Sequence, residues 1–361
     1  MGHQSFTRSI LLNYAKVLWA FHRLRSGHRP DLKDIAVKTW DLCAEETTTV
    51  APAIYLDGTL DKISAYSPWS SQEYEKPRVL GGTATHARST AYLLRDVRIN
   101  GAWIYSEAFK AQHGFGPDKL FQRHPREFTK LDHVHLVSNS PGSNFFGNFL
   151  LDEFPLELLP KAGDNRIGLQ TKAYEHEAGY REILGLPRPL RVGRARCHEV
   201  IVYRDFAQNS LKQGRYQTLR QRLRHSINET ASESFKRVYL KRGVTGEARI
   251  VANEHDLEEH LTNLGFDIVE PAVLSTQDVC RRMIDAKLVI SVEGSHLAHA
   301  IYTMADDAAL LVLEPPDRFA MPYKDFTDRM NMRFAFLVGD HAQNGFNVDL
   351  TDLDRLIDLL T

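Results

Sequence analysis

The stretch at residues 288–299 reads LVISVEGSHLAH and decides the fold class. Apolar and small residues suited to a buried strand run into the turn Glu293-Gly294-Ser295, and a helical pattern follows. A strand that passes through a short turn into a helix is the unit of parallel α/β sheets. Gly294 lets a ligand approach the backbone closely, and the free amides at the helix start favour an anion. The stretch therefore predicts an α/β fold with a ligand site after this strand.

The same alternation of strands and helices continues on both sides of the stretch. Predicted strands lie at 235–240, 267–269, 288–291 and 309–314, with helices at 254–264, 276–286, 295–304 and 350–360. Asn253 and Ser275 stand where helix N-caps are expected. The pattern is typical of a doubly wound sheet, in which ligands bind at the carboxyl ends of the strands.

Polar side chains follow three of these strands. Lys241 and Arg242 could neutralise a diphosphate, with the arginine offering a two-pronged contact, although a surface ion pair explains them equally well. Glu314 ends another strand, where its carboxylate could hold sugar hydroxyls or face water. His296 and His299 are three residues apart and share a helical face. These residues point to a site at one edge of the sheet.

A second candidate site lies at residues 141–155, which read PGSNFFGNFLLDEFP. A Gly-Ser-Asn loop precedes a helical pattern at 145–159. Asn148 and Asp152 are four residues apart and share a face of that helix. Asp152 or Glu153 in a cleft could remove a proton from a substrate. A capped helix with solvated acids is the alternative that these residues alone favour.

The first third of the chain has the pattern of short strands, with a hairpin at Asn100-Gly101. Residues 1–30 contain five Lys and Arg residues and no acid, with apolar residues at helical spacing. Such a basic amphipathic helix can lie on an anionic membrane surface, but these residues alone favour a docked or frayed terminal helix with a solvated basic face. A basic helix at 211–227 has either a solvated face or an anion-binding role.

Composition excludes several classes of protein. The chain has 361 residues, 43% of them hydrophobic and 25% charged, and a net charge of -1. It is therefore neither disordered nor a whole-chain nucleic-acid binder. Its three cysteines (Cys43, Cys197 and Cys280) have no metal-pair spacing and indicate a reducing cytoplasm. No apolar run is long enough to cross a bilayer. No Asp-x-Asp motif stands at a βα turn, so no metal is expected, and no cofactor is expected either.

The order of these segments resembles glycosyltransferase family 61, in its bacterial capsular and exopolysaccharide members. The resemblance covers about 130–316 and rests on six features: the helical segment ending in acids and Pro155, the strand with Lys241-Arg242, Arg249 with Asn253-Glu254, Leu264-Gly265-Phe266, the Gly-rich turn, and the strand ending in Glu314-Pro315. It implies a GT-B architecture, two Rossmann-like domains facing across a cleft, with a β-rich N-terminal extension. It also implies transfer of a sugar from a nucleotide-sugar to an acceptor hydroxyl with inversion and without a metal.

On this resemblance, Arg242 contacts the diphosphate, Gly294 and Ser295 supply amides to it, and Glu314 meets the ribose. The full set of candidates is Asp152, Glu153 or Glu293 for catalysis; Lys241, Arg242, Arg249, Gly294, Ser295, His296 and Glu314 for the donor; and Asn144, Asn148 and His299 on the acceptor side. The implied domains are a basic segment at 1–30, an acceptor-side domain at 31–210, a nucleotide-sugar-binding domain at 211–340, and a helix at 341–361 that packs back on the first domain. The expected partners are a nucleotide-sugar and a glycan or lipid-linked acceptor, in the cytoplasm, with inner-membrane contact through residues 8–29 and no nucleic acid.

Two departures from the family pattern keep alternatives open. The family's His-Gly-Ala-Gly-Leu-Thr-Asn turn is replaced at 293–299 by EGSHLAH, and its His-Trp pair by Asn148-Phe149. A divergent subgroup in which His296 or Glu293 takes over the histidine's role is the preferred interpretation. A non-catalytic nucleotide- or glycan-binding scaffold is the second. A metal-dependent hydrolase using Glu293, His296 and His299 is the third.

Overall fold

A computed structural model of the chain describes residues 8–125, 128–228, 237–243 and 248–361. These residues form two compact units, each assembled from several segments. Unit 1 takes the described residues up to Glu45, with Ala87–Glu175 and Leu186–Ala207; unit 2 takes Glu46–His86, His176–Gly185 and Gln208–Thr361. The units thus alternate along the chain, whereas the sequence predicts contiguous domains. The functional boundaries at 31–210 and 211–340 stay predictions.

The strands and helices are as follows. The strands are β1 Arg8–Leu12, β2 Lys38–Cys43, β3 Glu46–Val50, β4 Gly82–His86, β5 Ser89–Asn100, β6 Trp103–Ser106, β7 Phe109–Gln112, β8 Phe121–Pro125, β9 Thr129–Leu136, β10 Arg166–Gly168, β11 Leu190–Arg191, β12 Arg194–Arg204, β13 Arg237–Leu240, β14 Asp267–Val269, β15 Leu288–Val292, β16 Ala309–Glu314, β17 Arg333–Val338, β18 Asp340–Ala342 and β19 Gly345–Asn347. The helices are α1 Tyr14–Ser26, α2 Leu32–Ile35, α3 Gln72–Leu80, α4 Ser140–Asn144, α5 Phe146–Asn148, α6 Phe154–Leu156, α7 Glu177–Leu184, α8 Ser210–Asn228, α9 Glu254–Asn263, α10 Thr276–Met283, α11 Ala298–Thr303, α12 Lys324–Arg329 and α13 Leu350–Leu360.

Unit 2 contains a parallel sheet that includes the four strands predicted from the sequence and a fifth strand, β17, that the sequence analysis missed. Its five strands lie in the order β14-β13-β15-β16-β17, and every pair is parallel. The chain leaves β13 for β14 on one side and reaches β15 on the other, so the topological switch point lies between β13 and β15. Ligands of open α/β sheets bind outside the carboxyl ends of the strands at such a point. The predicted α/β class is confirmed, although residues 235–236 of the first predicted strand lie outside the described residues.

Two details of unit 2 bear on the sequence-based expectations. Ser275 caps α10 by accepting from the Asp278 amide, but Asn253 makes no side-chain cap on α9. Asn253 pairs instead with the backbone of Val348, donating to its carbonyl and accepting from its amide, both at 2.9 Å. The predicted C-terminal helix is present as α13, and its apolar stripe completes the core around the sheet of unit 2, which also contains Leu56 of the predicted first domain; packing of this helix on that domain stays a prediction. That stripe consists of Leu353, Leu356, Ile357 and Leu360.

The basic helix at 211–227 is part of α8. Arg220 is 1% exposed and donates to the carbonyls of Ile301 and Met304 and to the carboxylate of Asp306. Arg224 also reaches the Met304 carbonyl, at 3.1 Å. These carbonyls end helix α11 and lack partners within it, so the two arginines satisfy them and oppose the negative end of the helix. Both cations therefore hold α11 in place.

Unit 1 contains a mixed sheet of eight strands. Strands β11, β10, β9 and β12 pair parallel with one another in that order, and β12 pairs antiparallel with β5 from Arg194↔Asn100 to Arg204↔Thr90. Strands β6 and β7 continue the sheet beyond β5, and β2 also pairs with β5. The predicted hairpin at Asn100-Gly101 is confirmed by the β5-β6 pairing. The strands of the first third are not an extension, because the long β12-β5 pairing makes them one half of this sheet.

The helical pattern at 145–159 is broken in the structure. Phe145 takes an extended conformation between α4 and α5, and a π-helical turn, Phe149–Glu153, separates α5 from α6. In that turn the Phe154 amide bonds to the Phe149 carbonyl. Pro155 has no N–H to offer the preceding turn, which favours such a wider winding. π-helical turns are frequent at functional sites.

The N-terminal segment is a strand followed by a helix. Strand β1 pairs antiparallel with β8, and α1 begins after Asn13, whose side chain caps it. Residues 1–7 of the predicted basic segment lie outside the described residues. Within the described parts of the chain, no helix is long and apolar enough to cross a membrane.

Candidate functional site

The carboxyl edge of the unit 2 sheet carries a cluster of charged side chains at its switch point. Arg242, just after β13, donates from Nη1 to the Glu293 carbonyl after β15, at 3.0 Å. The Glu293 carboxylate pairs with Arg249 at 2.7 Å. These contacts join the two strand ends on either side of the switch point. The edge therefore holds two arginines around one buried carboxylate.

Gly294 is required where β15 meets the next helical turn. Its φ is +154° and its ψ is 171°, a region that is almost restricted to glycine. A Cβ at this position would overlap Nη1 of Arg242 and lie 3.1 Å from Nδ1 of His296. The absence of a side chain thus lets the Arg242 guanidinium lie against the backbone of the turn.

The positive charges at this edge repel one another. Burial, followed by repulsion from Arg249, lowers the pKa of Arg242. Burial, with repulsion from Arg242 and Arg249, lowers the pKa of His296 to about 3, so its ring is neutral at physiological pH. An anion bound here would relieve this repulsion, and arginine forks suit phosphate oxygens. The electrostatics favour an anionic ligand.

The hydrogen bonds of His296 fix its tautomer. The Ser291 hydroxyl has one proton, which it donates to the Leu240 carbonyl at 2.5 Å. At 2.7 Å, Nε2 of His296 must therefore donate to the Ser291 oxygen. The lone pair on Nδ1 then lies on the side of Gly294. His296 is available here as a neutral acceptor and not as a cation.

Glu314 ends β16 next to this cluster and is completely buried. Among the described residues neither carboxylate oxygen has a hydrogen-bond partner at good geometry. Burial, followed by repulsion from Glu293, raises its pKa well above the usual range. Glu314 is therefore held protonated. As placed, it is not exposed to a ligand, so its predicted contact with a ribose stays a prediction.

A pocket of about 460 Å³ opens beside Arg249 and the end of β16. Its size lies within the range of small-molecule sites. The lining residues are Tyr66, Pro68, Ala248, Arg249, Ile250, Pro315, Asp317, Arg318, Asn344, Gly345 and Phe346. A planar side chain, cations and backbone around one concave space are the components that a nucleotide site needs.

In unit 1, the π-helical turn contains two consecutive buried acids, Asp152 and Glu153. Asp152 is 5% exposed and accepts from Asn148 Nδ2 at 2.7 Å. Glu153 is 1% exposed and lies 3.4 Å from Arg191 Nη1. Burial raises the pKa of Glu153 to about 8, and Arg191 opposes that shift. A carboxyl group with this pKa exchanges protons near neutral pH, as a general base or acid must.

The comparisons with known proteins can now be placed on this geometry. Residues 146–311 match the Glycosyltransferase 61 family model. The matched residues run from α5 of unit 1 through strands β13, β14 and β15 and the first half of β16, just under half of the chain. The match supports a glycosyltransferase, whose family acts with a nucleotide-sugar donor and a glycan acceptor. Comparison with curated proteins gives no match.

The glycosyltransferase match contains most of the predicted site residues. Asn144 and Glu314 lie outside it, and Asn144 donates to the Ser140 carbonyl at 2.7 Å within α4. Ser295 begins the 3₁₀ turn after Gly294. Arg242, Arg249, Gly294 and His296 lie together at the switch point. Their roles toward a donor stay predictions.

Two of the predicted site residues contact other parts of unit 2. Lys241 pairs with Glu258 of α9 at 2.7 Å, and this contact is the main cause of its raised pKa. His299 is 1% exposed; its Nδ1 bonds to the Tyr180 hydroxyl at 2.6 Å, and burial lowers its pKa well below the usual value. Glu293, His296 and His299 thus each have other partners. Among the described residues no group of His, Cys, Asp and Glu is arranged to hold a metal.

Sequence reasoning missed Arg318 and Tyr66 in the pocket beside the switch point. Arg318 stands four residues after Glu314, beyond Pro315-Pro316. A cation so soon after the carboxyl end of a strand could have been predicted to lie near the ligand site. Tyr66 comes from the segment 46–86, which joins unit 2 from far away in sequence. A bridge between Tyr66 and Phe319 holds that segment against the pocket. Nothing local in the sequence around Tyr66 signals this contact.

Proposed function

We propose that the protein transfers a sugar from a nucleotide-sugar donor to an acceptor hydroxyl, with inversion and without a metal. The observation that carries the proposal is the pair of arginines, Arg242 and Arg249, at the switch point of the unit 2 sheet, beside a pocket of nucleotide size. The family match at 146–311 supports the same reaction class. The GT-B arrangement is part of this proposal.

The diphosphate of the donor is proposed to bind at the Gly294 turn. The Arg242 and Arg249 guanidinium groups would contact its oxygens, and the amides of Gly294 and Ser295 would donate to it. The nucleoside would occupy the pocket beside Arg318 and Tyr66. When the bond between the sugar C1 and the phosphate oxygen breaks, the diphosphate takes the electron pair, and fixed cations stabilise that charge. Arginines can thus supply the charge neutralisation that a metal supplies elsewhere.

The acceptor is proposed to be activated by a carboxylate, either Asp152 or Glu153. The carboxylate takes the hydroxyl proton while the acceptor oxygen attacks C1 from the face opposite the diphosphate, which inverts the configuration. The bond between Asn148 and Asp152 orients the Asp152 carboxylate, and the raised pKa of Glu153 makes that group the stronger base. Asn144, Asn148 and His299 remain the proposed acceptor-side residues, and Glu293 the alternative base.

The proposal extends to the biological setting that the resemblance implies. The product would be a capsular or other bacterial polysaccharide, made in the cytoplasm on a glycan or lipid-linked acceptor. The three cysteines are free thiols, which fits a reducing compartment.

A nucleotide- or glycan-binding scaffold is the second candidate. The observation in its favour is that Asn148-Phe149 and Glu293 stand where the resembled family has histidines. A protein that kept the donor site and lost its base would bind a nucleotide and not turn it over. Turnover decides between the two candidates.

The test is release of nucleotide from UDP-, GDP- and CMP-sugars, with acceptor glycans, by the full chain. Asp152→Asn and Glu153→Gln identify the base, since removing it should lower kcat at least about 100-fold. Asp132→Asn, an exposed acid on β9, is the matched control and should keep full activity. If nucleotide binds but no donor turns over, the scaffold replaces the transferase.

A further inference from the structure

Helix α1 exposes an apolar stripe to solvent. Tyr14, Val17, Phe21 and Leu24 recur at spacings of three and four and therefore share one face of the helix. They are 58%, 39%, 60% and 85% exposed, respectively. Amphipathic helices normally turn such a stripe toward the core. Here the stripe faces away from unit 1.

The opposite face of α1 is held firmly on unit 1. Trp19 donates its indole N–H to the Ala108 carbonyl at 2.8 Å, and Lys110 stands 4.0 Å over its ring. Lys16 donates to the Asp118 carbonyl at 2.6 Å. Ala15 is buried between these contacts. The exposure of the stripe is therefore a fixed feature of a docked helix and not the fraying of a terminal one.

Further apolar surface lies at the start of α1. Leu12 of β1 and Phe121 of β8 are directly paired across the two strands, so their side chains lie on the same face of the ribbon. They are 42% and 60% exposed. Contiguous apolar surface of this kind marks a contact site on proteins that are otherwise polar outside.

The charge around the stripe is positive. Arg23 and Arg25 lie in the last turn of α1, Arg29 follows, and residues 1–30 contain no acid. The first acid after them, Asp31, caps α2 and pairs with Arg204 at 2.8 Å. An apolar stripe bordered by arginines matches the interface of an anionic bilayer, where apolar side chains enter the acyl boundary and cations meet the headgroups.

We propose that the stripe of Tyr14, Val17, Phe21 and Leu24 binds the surface of an anionic lipid bilayer and places unit 1 on it. The helix lies in the interface and does not cross it. This inference does not depend on the proposed transfer reaction, because none of the residues of the stripe has a role in that reaction.

The test is flotation of the full chain with phosphatidylcholine vesicles that contain or lack phosphatidylglycerol. The chain should bind the anionic vesicles more strongly, and salt should weaken that binding. Phe21→Ser with Leu24→Ser should lower the partition coefficient at least about tenfold, because two apolar side chains no longer enter the bilayer. Arg25→Glu should reduce binding only to the anionic vesicles.

The matched control is Val273→Ser with Leu359→Ser, which removes two apolar side chains that are 74% and 58% exposed elsewhere. It should bind vesicles as the wild type does. Circular dichroism verifies that each variant is folded. The proposal is overturned if the wild type does not float, or if the control loses binding equally. It is also overturned if sedimentation velocity shows that the stripe joins two copies of the chain while vesicles remain unbound.

Discussion

Substitution of Gly294 by alanine tests the geometry on which the donor site depends. The Gly294 φ of +154° lies in a region that costs other residues roughly 1–3 kcal/mol. The new methyl group would also overlap the Arg242 guanidinium, whose hydrogen bond to the Glu293 carbonyl is 3.0 Å long. Arg242 must therefore move away from the turn. The substitution acts on both the backbone and the principal cation of the site.

The magnitude follows from these two terms. A hydrogen bond from a charged group contributes about 1.5–3 kcal/mol to stability. The displaced Arg242 guanidinium can form hydrogen bonds with water instead, and these offset most of the stability that is lost. Backbone strain then dominates, and we expect the free energy of unfolding to fall by about 2 kcal/mol. Nucleotide binding should also weaken, because the displaced Arg242 no longer faces the diphosphate. We expect the Kd for the nucleotide to rise at least about tenfold.

Urea unfolding and calorimetric titration with nucleotides measure the two effects. Gly214→Ala is the matched control: Gly214 lies within α8, has no positive φ, and has open space around its Cβ position. That substitution should raise stability slightly, since alanine favours a helix. If Gly294→Ala unfolds and binds nucleotide as the wild type does, the assignment of Gly294 and Arg242 is wrong.

Three further predictions concern other buried charges. Glu153 has a pKa of about 8 when folded against a usual 4.5, so the folded state keeps a proton that the unfolded chain releases; stability should fall as the pH rises through that interval, and Glu153→Gln should flatten the slope in urea unfolding. Arg220→Leu should lower the free energy of unfolding by about 2 kcal/mol, because it leaves the Ile301 carbonyl buried without its donor, while Arg224 still reaches the Met304 carbonyl; an unchanged urea midpoint would contradict this. Arg249→Ala should weaken nucleotide diphosphate binding at least about tenfold by calorimetry, and an unchanged Kd would remove it from the donor site.

The sheet of unit 2 could be predicted from the sequence because its signals are local. Each of the four predicted strands is a short, largely apolar run, and strand 267–269 matches β14 at both ends, although β17 was missed. The strand order then follows from the rules for parallel sheets. The switch point, and with it Arg242 and Gly294, was therefore within reach of sequence reasoning.

The first third of the chain could not be assigned in the same way. The pairing of β12 with β5 joins residues about a hundred positions apart, and nothing local in either strand names its partner. The π-helical turn at 149–153 also departs from the smooth helical pattern that the apolar residues suggest. Tertiary context decides both features.

Spacing alone also could not decide which side chains face a ligand. Lys241 follows β13 as Arg242 does, but alternate residues point to opposite sides, and Lys241 meets Glu258. His299 shares a helical face with His296, yet it lies in the core beside Tyr180. Side-chain direction depends on the elements packed around each residue, and those come from distant parts of the chain.

The central claim is that the switch point of unit 2 binds the diphosphate of a nucleotide-sugar. Calorimetric titration of the full chain with UDP, GDP and CMP, in the wild type and in Arg242→Ala, tests it most directly. Arg355→Ala, an exposed arginine of α13, serves as the control. We predict that one nucleotide binds, that Arg242→Ala weakens it at least about tenfold, and that the control does not. Failure of every nucleotide to bind, or equal binding by Arg242→Ala, would contradict the claim.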